Sequence, residues 1–319
     1  MKKHLAKILF IITIAVGILT LPFGSVKIPL QNILSMDLTT TWETILFKLR
    51  LPRIIMAILV GMMLSSSGAV VQTVFQNPLA DPYIIGISAS ATFGALLAYL
   101  FNMPDFMYGI LAFICCLCST LTIFKISKKG SSINVTTLLI VGIAVSAFLG
   151  AFTSFSMYLI GEESFKITMW MMGYLGNASW SRIIIIAIPL FGSITYFFLK
   201  RHELDALLSG DEEAHSMGID VNKLKVKTLI VVALIVAFSV AFTGMIGFVG
   251  LIIPHIVRTY LGASNSKMLP SVTIGGGLFL LLCDTFGRLV FAPVEIPIGT
   301  VTSFLGAPFF LYLALKSKR

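Results

Sequence analysis

The chain has 319 residues, of which 57% are hydrophobic and only 12% are charged, and its mean hydropathy is +0.98. This composition excludes a soluble globular domain. A net charge of +9 would suggest a nucleic-acid partner in a soluble protein. In a membrane protein, basic cytoplasmic loops account for it, so no nucleic-acid partner is expected.

Apolar segments recur from one end of the chain to the other and predict about ten transmembrane helices. The predicted spans are 8–23, 53–74, 84–101, 107–124, 135–159, 183–199, 226–246, 247–261, 270–291 and 298–315. The eighth is short. Backbone groups in lipid must bond within their own segment, so these spans are helices rather than isolated strands. No soluble domain fits between them, so residues 1–319 form one transmembrane domain of the all-α class.

Lysine and arginine are distributed unequally between the two sides of this topology. With the N-terminus inside, 16 of the 23 basic residues lie on inner segments and seven lie outside. This bias predicts that both termini are cytoplasmic and that the chain is a multi-pass protein of the bacterial cell membrane. The opening MKKHLAK precedes an apolar run without an evident cleavage site, so we interpret the run as an uncleaved first span.

Two arginines, Arg50 and Arg53, open the second span in the sequence RLPR. On this topology they share the outer surface with Arg288, which follows Asp284 by one helical turn. Three outward-facing arginines suit bidentate capture of carboxylates. The alternative is that they are membrane-surface anchors whose aliphatic stems pack on apolar groups.

One inner loop, 200–227, is long and carries both signs of charge. Within it, acidic residues after Gly210 and a glycine at position 218 predict a short helix of about two turns. A simple connection between spans needs no such helix, so we interpret it as a presented surface. A solvated amphipathic linker is the alternative.

Reactive groups for an enzyme or a primary pump are scarce. The sequence contains no phosphate-binding GxxxxGK[ST] loop, and His202-Glu203 fails to continue as a zinc motif because position 206 is alanine. The four cysteines lie within apolar spans without metal-ligand spacing. Asp284 is the only candidate for a carboxylate deep in the membrane, and Arg288 is placed to neutralise it.

Glycine and proline interrupt several spans in the last third of the chain. Examples are GMIGFVGLIIPH from Gly244 to His255 and the prolines at 293 and 297 that flank Glu295. Close helix packing would explain any single glycine, whereas their concentration favours a pathway or a moving part. No internal sequence repeat is evident.

Several motifs together resemble the permease subunits of ABC importers for ferric siderophores, haem and cobalamin. They occur in the family order and are RLPR, NPLADPYIIG (77–86), WMMGYLG (170–176), LLSGDEEAHSMGI (207–219), GMIGFVGLIIPHIVR (244–258) and the stretch that runs from Asp284 to Leu313. The resemblance implies a type II importer permease with ten helices, of which the fifth and tenth line much of the pathway.

The resemblance also implies partners and site residues. The partners are a second permease subunit, identical or a close paralogue, two cytoplasmic ABC ATPases, an extracytoplasmic binding protein and membrane lipid. No cofactor is expected on this chain, and ATP-Mg belongs to the ATPase. Arg50, Arg53 and Arg288 would receive glutamates of the binding protein. The residues expected to contact the ATPase are Leu208, Gly210, Asp211, Glu212, Glu213, Ala214, Met217, Gly218 and Ile219. A cytoplasmic gate is expected at Asn77, Leu79, Asn134, Val135 and Thr136.

These observations predict a non-enzymatic permease that moves a ferric siderophore or related iron chelate. Haem and cobalamin are the alternatives within the family. From a different class, an ion-coupled secondary transporter would require uncompensated carboxylates in the membrane, and none is evident in the sequence.

Overall fold

The computed structural model describes residues 4–24, 26–35, 37–129, 132–133 and 135–316. Its principal elements are ten helices, labelled α1 to α10 in chain order. They are α1 Leu5–Thr20, α2 Leu51–Val74, α3 Ile87–Leu100, α4 Asp105–Ser127, α5 Val135–Ile160, α6 Trp180–Leu199, α7 Val221–Thr243, α8 Val249–Leu261, α9 Asn265–Leu289 and α10 Ile298–Lys316. Each lies at one of the ten predicted positions, which confirms the all-α fold class.

Shorter elements connect these helices. They are the helices Leu30–Ser35, Thr40–Thr44, Phe165–Met171, Arg201–Leu207 and Asp211–Ser216, the 3-10 turns Pro82–Ile85 and Gly161–Ser164, and the π-helical turn Ile45–Arg50 that runs directly into α2. A two-residue antiparallel pair, Lys128–Lys129 with Ser132–Ile133, joins α4 to α5.

Within the described residues, six helices are long and apolar enough to cross a membrane. These are α4, α5, α6, α7, α9 and α2 together with the turns that precede it from Thr40. The other four, α1, α3, α8 and the 298–313 part of α10, are apolar but shorter. The predicted brevity of the eighth span is confirmed, and α3 is almost equally short, at 14 residues against 13.

Helix α2 is the central element of the molecule. It packs along α9 over most of its length and also contacts α6, α7 and α8, and nearly all of its side chains from Ile54 onward are buried. Small residues make the close approach possible, because a Cβ added at Gly61 would overlap the Gly276 carbonyl of α9. The buried hydroxyls of Ser66 and Ser67 donate to carbonyls one turn earlier, which satisfies them without a partner helix.

The connections before α3 and α8 meet inside the bundle. Gly250, at the start of α8, packs on Leu64 and Gly68, which lie in the middle and the C-terminal part of α2. The Tyr83 hydroxyl donates to the Ile246 carbonyl at 3.3 Å. Both short helices therefore start beside the body of α2, where irregular backbone is tolerated because protein surrounds it.

The helices α2–α5 and α7–α10 form an architectural repeat that the sequence did not reveal. In both sets the second helix is the shortest, with lengths of 24, 14, 23 and 26 residues in the first set and 23, 13, 25 and 19 in the second. The packing repeats as well, since α2 lies along α9 and α7 lies along α4. Helices α2 and α7 cross the membrane in opposite directions on the predicted topology, so the repeat is inverted.

Candidate functional site

The predicted docking arginines cluster at the outer end of α2 and α9, but they are engaged within the chain. The Arg50 guanidinium donates to the Leu21 carbonyl at 2.7 Å and to the Val26 carbonyl. Arg50 and Arg288 are each only 6% exposed. The expectation that three arginines point freely outward is therefore corrected, because backbone carbonyls hold Arg50 and the carboxylate of Asp284 holds Arg288. Their docking role stays a prediction.

Arg53 is the most accessible of the three arginines and has two carboxylate partners. Its Nε and Nη2 atoms both lie 2.9 Å from Asp284 Oδ1, whose side chain is 1% exposed. Its Nη1 atom lies 2.8 Å from Oε2 of Glu295, a side chain that is 35% exposed. The Tyr174 ring covers part of the guanidinium, with 5.8 Å between its centroid and Cζ. One edge of Arg53 therefore faces a buried acid and the other edge faces an accessible one.

Asp284 pairs with two arginines at once. Arg288 Nε lies 3.0 Å from Asp284 Oδ2, which confirms the pair expected from their spacing of four residues. Because a buried carboxylate needs compensation, two guanidinium groups around one acid account for its presence in the membrane. This aspartate is not the uncompensated carboxylate that an ion-coupled carrier would use.

Three outer connections are joined by backbone hydrogen bonds beside this cluster. The amides of Ile298 and Gly299 donate to the carbonyls of Gly173 and Met172 at 3.2 and 3.0 Å. The Tyr174 amide donates to the Thr243 carbonyl at 2.8 Å. The start of α10, the WMMGYLG segment and the end of α7 therefore form one junction.

A cavity of about 810 Å³ opens next to the junction. Its walls come mainly from α4, α6 and α7 and from the segment around Trp170. Most of the lining is aromatic or aliphatic, with Arg182 and Glu295 as the charged members.

The inner loop forms the short helix that the sequence predicted. It spans Asp211–Ser216 and ends at Gly218, whose φ of +82° is the left-handed conformation that favours glycine. The Ile219 amide donates to the Ala214 carbonyl at 3.2 Å and the Gly218 amide donates to the His215 carbonyl at 2.9 Å. These two bonds are a Schellman motif, which gives the helix a defined end.

Polar contacts anchor the first turn of this helix to the bundle. Lys225 Nζ lies 2.5 Å from Asp211 Oδ2. Gln76 donates to Asp211 Oδ1 at 3.2 Å and to the Leu207 carbonyl at 2.8 Å. Sequence reasoning missed both Gln76 and Lys225, because nothing local marks residues so far apart as partners.

The predicted contact residues of the loop divide into a buried and an exposed set. Ala214 is fully buried, whereas Leu208, Gly210 and Ile219 are partly buried. The exposed members are Asp211, Glu212, Glu213, Met217 and Gly218. Met217 is 63% exposed, which is a large apolar surface for a loop in water.

Asp205 is a further inner residue that the sequence reasoning did not identify. Its carboxylate accepts from the hydroxyls of Ser264 and Ser266 at 2.9 and 2.7 Å, and from the Asn265 and Ser266 amides. It therefore caps the N-terminus of α9 from another helix and ties the inner loop to α9.

The predicted gate residues are only partly described. Asn77 Oδ1 accepts from the Leu79 amide at 2.9 Å, and this Asx turn leaves Leu79 53% exposed. Thr136 is exposed near the start of α5. Asn134 and the side chain of Val135 lie outside the described residues, so the gate stays a prediction.

Asp81 lies two residues after Leu79 in the same connection and is a titratable group. Its Oδ1 accepts from the Tyr83 amide at 2.7 Å. Burial raises the pKa of Asp81 from 3.8 to about 6, although this hydrogen bond opposes the shift.

Comparison with known proteins identifies the family. The hemin transport system permease protein HmuU of Yersinia pestis is 36% identical over 300 residues, covering 89% of this chain and 90% of that protein. The cobalamin import system permease protein BtuC of Halobacterium salinarum is 38% identical over 92% of this chain and 79% of its own. An iron chelatin transport system permease protein of Helicobacter pylori is 35% identical over 86% and 83%.

Solved structures agree with this result. A metal-chelate type ABC transporter in an inward-facing conformation superposes with a TM-score of 0.87 at 29% identity, covering 97% of this chain and 99% of that one. PsaBC of Streptococcus pneumoniae shares the fold, with a TM-score of 0.58 at 17% identity. The FecCD transport family matches residues 11–316. The chain belongs to this family of ABC importer permeases and is a multi-pass protein of the cell membrane.

Proposed function

We propose that this chain carries a ferric siderophore or a related iron chelate across the cytoplasmic membrane, powered by separate ATPase subunits. The observation that carries the proposal is the match to the family over residues 11–316, with relatives named for hemin, cobalamin and iron chelatin transport. The paired state of Asp284 favours this reading over an ion-coupled carrier, because that class needs a carboxylate free to exchange an ion.

The inner surface suits an ATPase partner. The helix Asp211–Ser216 is held on one side by Lys225 and Gln76, while Glu212, Glu213 and Met217 face outward. A short element with fixed ends can transmit a push because it has little freedom to bend. We assign it the coupling role, in which ATPase movement shifts the bundle through this contact.

The exposed faces of α5 and α10 suit a second permease subunit. Phe148 and Tyr158 of α5 are 71% and 82% exposed, and Phe304 of α10 is 74% exposed. A second copy or a close paralogue packed near these faces would place a pathway between the two subunits. Its walls would carry little charge, which suits passage of a bulky chelate.

Uptake of labelled ferric siderophore in cells with and without this chain tests the proposal. Loss of uptake in its absence, restored by re-expression, is the expected result. Parallel uptake of labelled haem and labelled cobalamin assigns the substrate among the family alternatives. If neither the siderophore nor the other two depends on the chain, in a host without competing permeases, the transport proposal is wrong.

A further inference from the structure

Glu295 occupies the accessible edge of Arg53. The buried Asp284 takes the Nε and Nη2 atoms, so Nη1, which Glu295 Oε2 contacts at 2.8 Å, is the side of the guanidinium nearest solvent. Glu295 itself is 35% exposed, against 1% for Asp284. An incoming carboxylate could replace Glu295 far more easily than Asp284. Water already reaches Glu295, so hydration offsets more of the interaction energy that Glu295 loses when it leaves Arg53.

The charges of the cluster explain why such replacement matters. Arg53 and Arg288 carry two positive charges, and Asp284 and Glu295 carry two negative ones. These four groups are therefore neutral together while Glu295 is in place, and Arg50, which donates to two backbone carbonyls, adds one positive charge to the cluster. When Glu295 leaves, a second positive charge is uncompensated, so the attraction for an acidic partner increases.

We propose that Glu295 is an internal competitor at the docking site: it holds Arg53 in the free permease and is displaced by a carboxylate of the binding protein. This proposal rests on the proposed function, since it requires that the binding protein docks at Arg53. It makes Glu295 a residue that sets docking affinity.

Displacement of Glu295 would also affect the start of α10, which the predicted pathway includes. Glu295 lies between Pro293 and Pro297 in the connection that begins α10, and the next amide, that of Ile296, donates to the Gly287 carbonyl at 3.0 Å. Ile298 and Gly299 then bond to Gly173 and Met172. Release of Glu295 removes one constraint on this junction, so docking makes the first turn of α10 more mobile.

The cavity next to the junction offers the displaced side chain a second position. Glu295 and Arg182 both line it. Arg182 Nη1 donates to the Asn177 carbonyl at 2.9 Å, which holds this guanidinium at the cavity wall. A carboxylate that leaves Arg53 therefore has a cavity beside it whose wall carries another cation.

The test uses the assembled transporter in nanodiscs and the binding protein with which it supports transport. The measured quantity is the affinity of the binding protein for the transporter. We expect Glu295→Gln to bind it roughly two- to fivefold tighter, the range for loss of one partly exposed ion pair. Glu162→Gln is the matched control, because Glu162 is exposed, lies on the same side in the predicted topology, and its loss changes the net charge equally. We expect a smaller gain for this control, and equal gains would reduce the effect to general electrostatics and overturn the proposal.

Arg53→Gln separates failure of the competitor from failure of docking. If Arg53→Gln weakens binding and Glu295→Gln leaves it unchanged or weaker, docking at Arg53 stands and the competitor role is wrong. If Arg53→Gln has no effect, docking at Arg53 fails and the inference fails with it.

A second readout does not depend on affinity. Val294 is 69% exposed beside Glu295, so a Val294→Cys label in a Cys118→Ser background reports the mobility of the connection. We expect the label to become more mobile when the binding protein is added. In the Glu295→Gln variant we expect the label to be equally mobile in the absence of the binding protein. A label that is equally immobile in all of these states would contradict displacement.

Discussion

Three aspartates show how the same side chain takes different roles in different surroundings. Asp284 is buried between two arginines, Asp205 caps a helix, and Asp81 caps a 3-10 turn in a partly buried connection. Asp284 has two arginine partners and Asp205 has four hydrogen-bond donors, whereas the one donor found for Asp81 among the described residues is the Tyr83 amide, and burial raises the pKa of Asp81 to about 6. The charge of Asp81 therefore changes under mildly acidic conditions.

Asp81 makes the stability of the protein depend on pH. The folded-state pKa of about 6 lies above the ordinary value of 3.8, so between these values the folded state binds a proton that the unfolded state does not. Stability from this group therefore rises as the pH falls from above 6 towards 4. Asp81→Asn keeps an oxygen for the Tyr83 amide and removes the titration. We expect the Tm difference between wild type and Asp81→Asn in detergent to shift in favour of wild type from pH 7.5 to pH 5. A pH-independent difference would contradict the burial argument.

At the residue scale, local patterns in the sequence were informative where partners are close in the chain. The pair Asp284–Arg288 and the glycine end at Gly218 follow from spacing alone, and the structure confirms both. Glu295 with Arg53 and Asp205 with Asn265 join residues 242 and 60 positions apart. Spacing carries no signal for such pairs, so the occupied state of the arginines could not be predicted.

At the scale of elements, the inner loop depends on two precise helix ends. The Schellman motif at Gly218 ends the short helix, and Asp205 caps α9 from the preceding short helix, Arg201–Leu207. Helix ends leave backbone groups without intrahelical partners, so each of these devices satisfies groups that would otherwise face water or lipid. The loop is consequently a fixed structure rather than a flexible linker.

Substitution of Gly218 tests the coupling role. Proline fixes φ near −65° and cannot adopt the observed +82°, so Gly218→Pro should misdirect the short helix. We expect transport to be lost while membrane insertion and ATP hydrolysis by the assembled complex persist. Gly218→Asn is the matched control, because asparagine tolerates the left-handed conformation. Transport at the normal rate in Gly218→Pro would contradict a coupling surface.

Removal of the Asp205 cap tests the tie between the loop and α9. Asp205→Ala deprives two hydroxyls and two amides of an acceptor, and the loss of a helix cap costs roughly 0.5–2 kcal/mol. Asp220→Ala removes a cap of α7 for which the Lys223 amide is the one donor among the described residues. We expect a larger fall in the Tm of detergent-solubilised protein for Asp205→Ala. Equal falls would show that the additional donors contribute little.

At the scale of the whole molecule, hydropathy predicted the helices and the inverted repeat remained hidden. The predicted spans and the observed helices agree within a few residues for most elements, because long apolar segments have few alternatives in a bilayer. The repeat lies in helix lengths and packing partners, such as α2 with α9 and α7 with α4, rather than in residue identities. Helix–helix packing depends on surfaces that many sequences can form.

Thiol labelling tests the topology on which the outer and inner sites depend. In a Cys118→Ser background, Glu162→Cys should react with a membrane-impermeant maleimide in intact cells or spheroplasts. Ser209→Cys should react only after permeabilisation. Both positions are exposed in the chain, so poor accessibility does not account for a failure to react. Labelling of Ser209→Cys from outside would invert or overturn the predicted arrangement.

The packing of α2 against α9, and of α7 against α4, also constrains the order of assembly during synthesis. Helix α2 leaves the ribosome early, yet its main neighbour α9 begins only at Asn265. During synthesis α2 is therefore in the membrane before α9, and its small residues and serines that later pack on α9 have no helix against them. Biogenesis then includes a late step in which α9 inserts beside α2 and completes the core. An unfinished chain that ends before α9 would expose this surface to the quality-control proteases of the membrane.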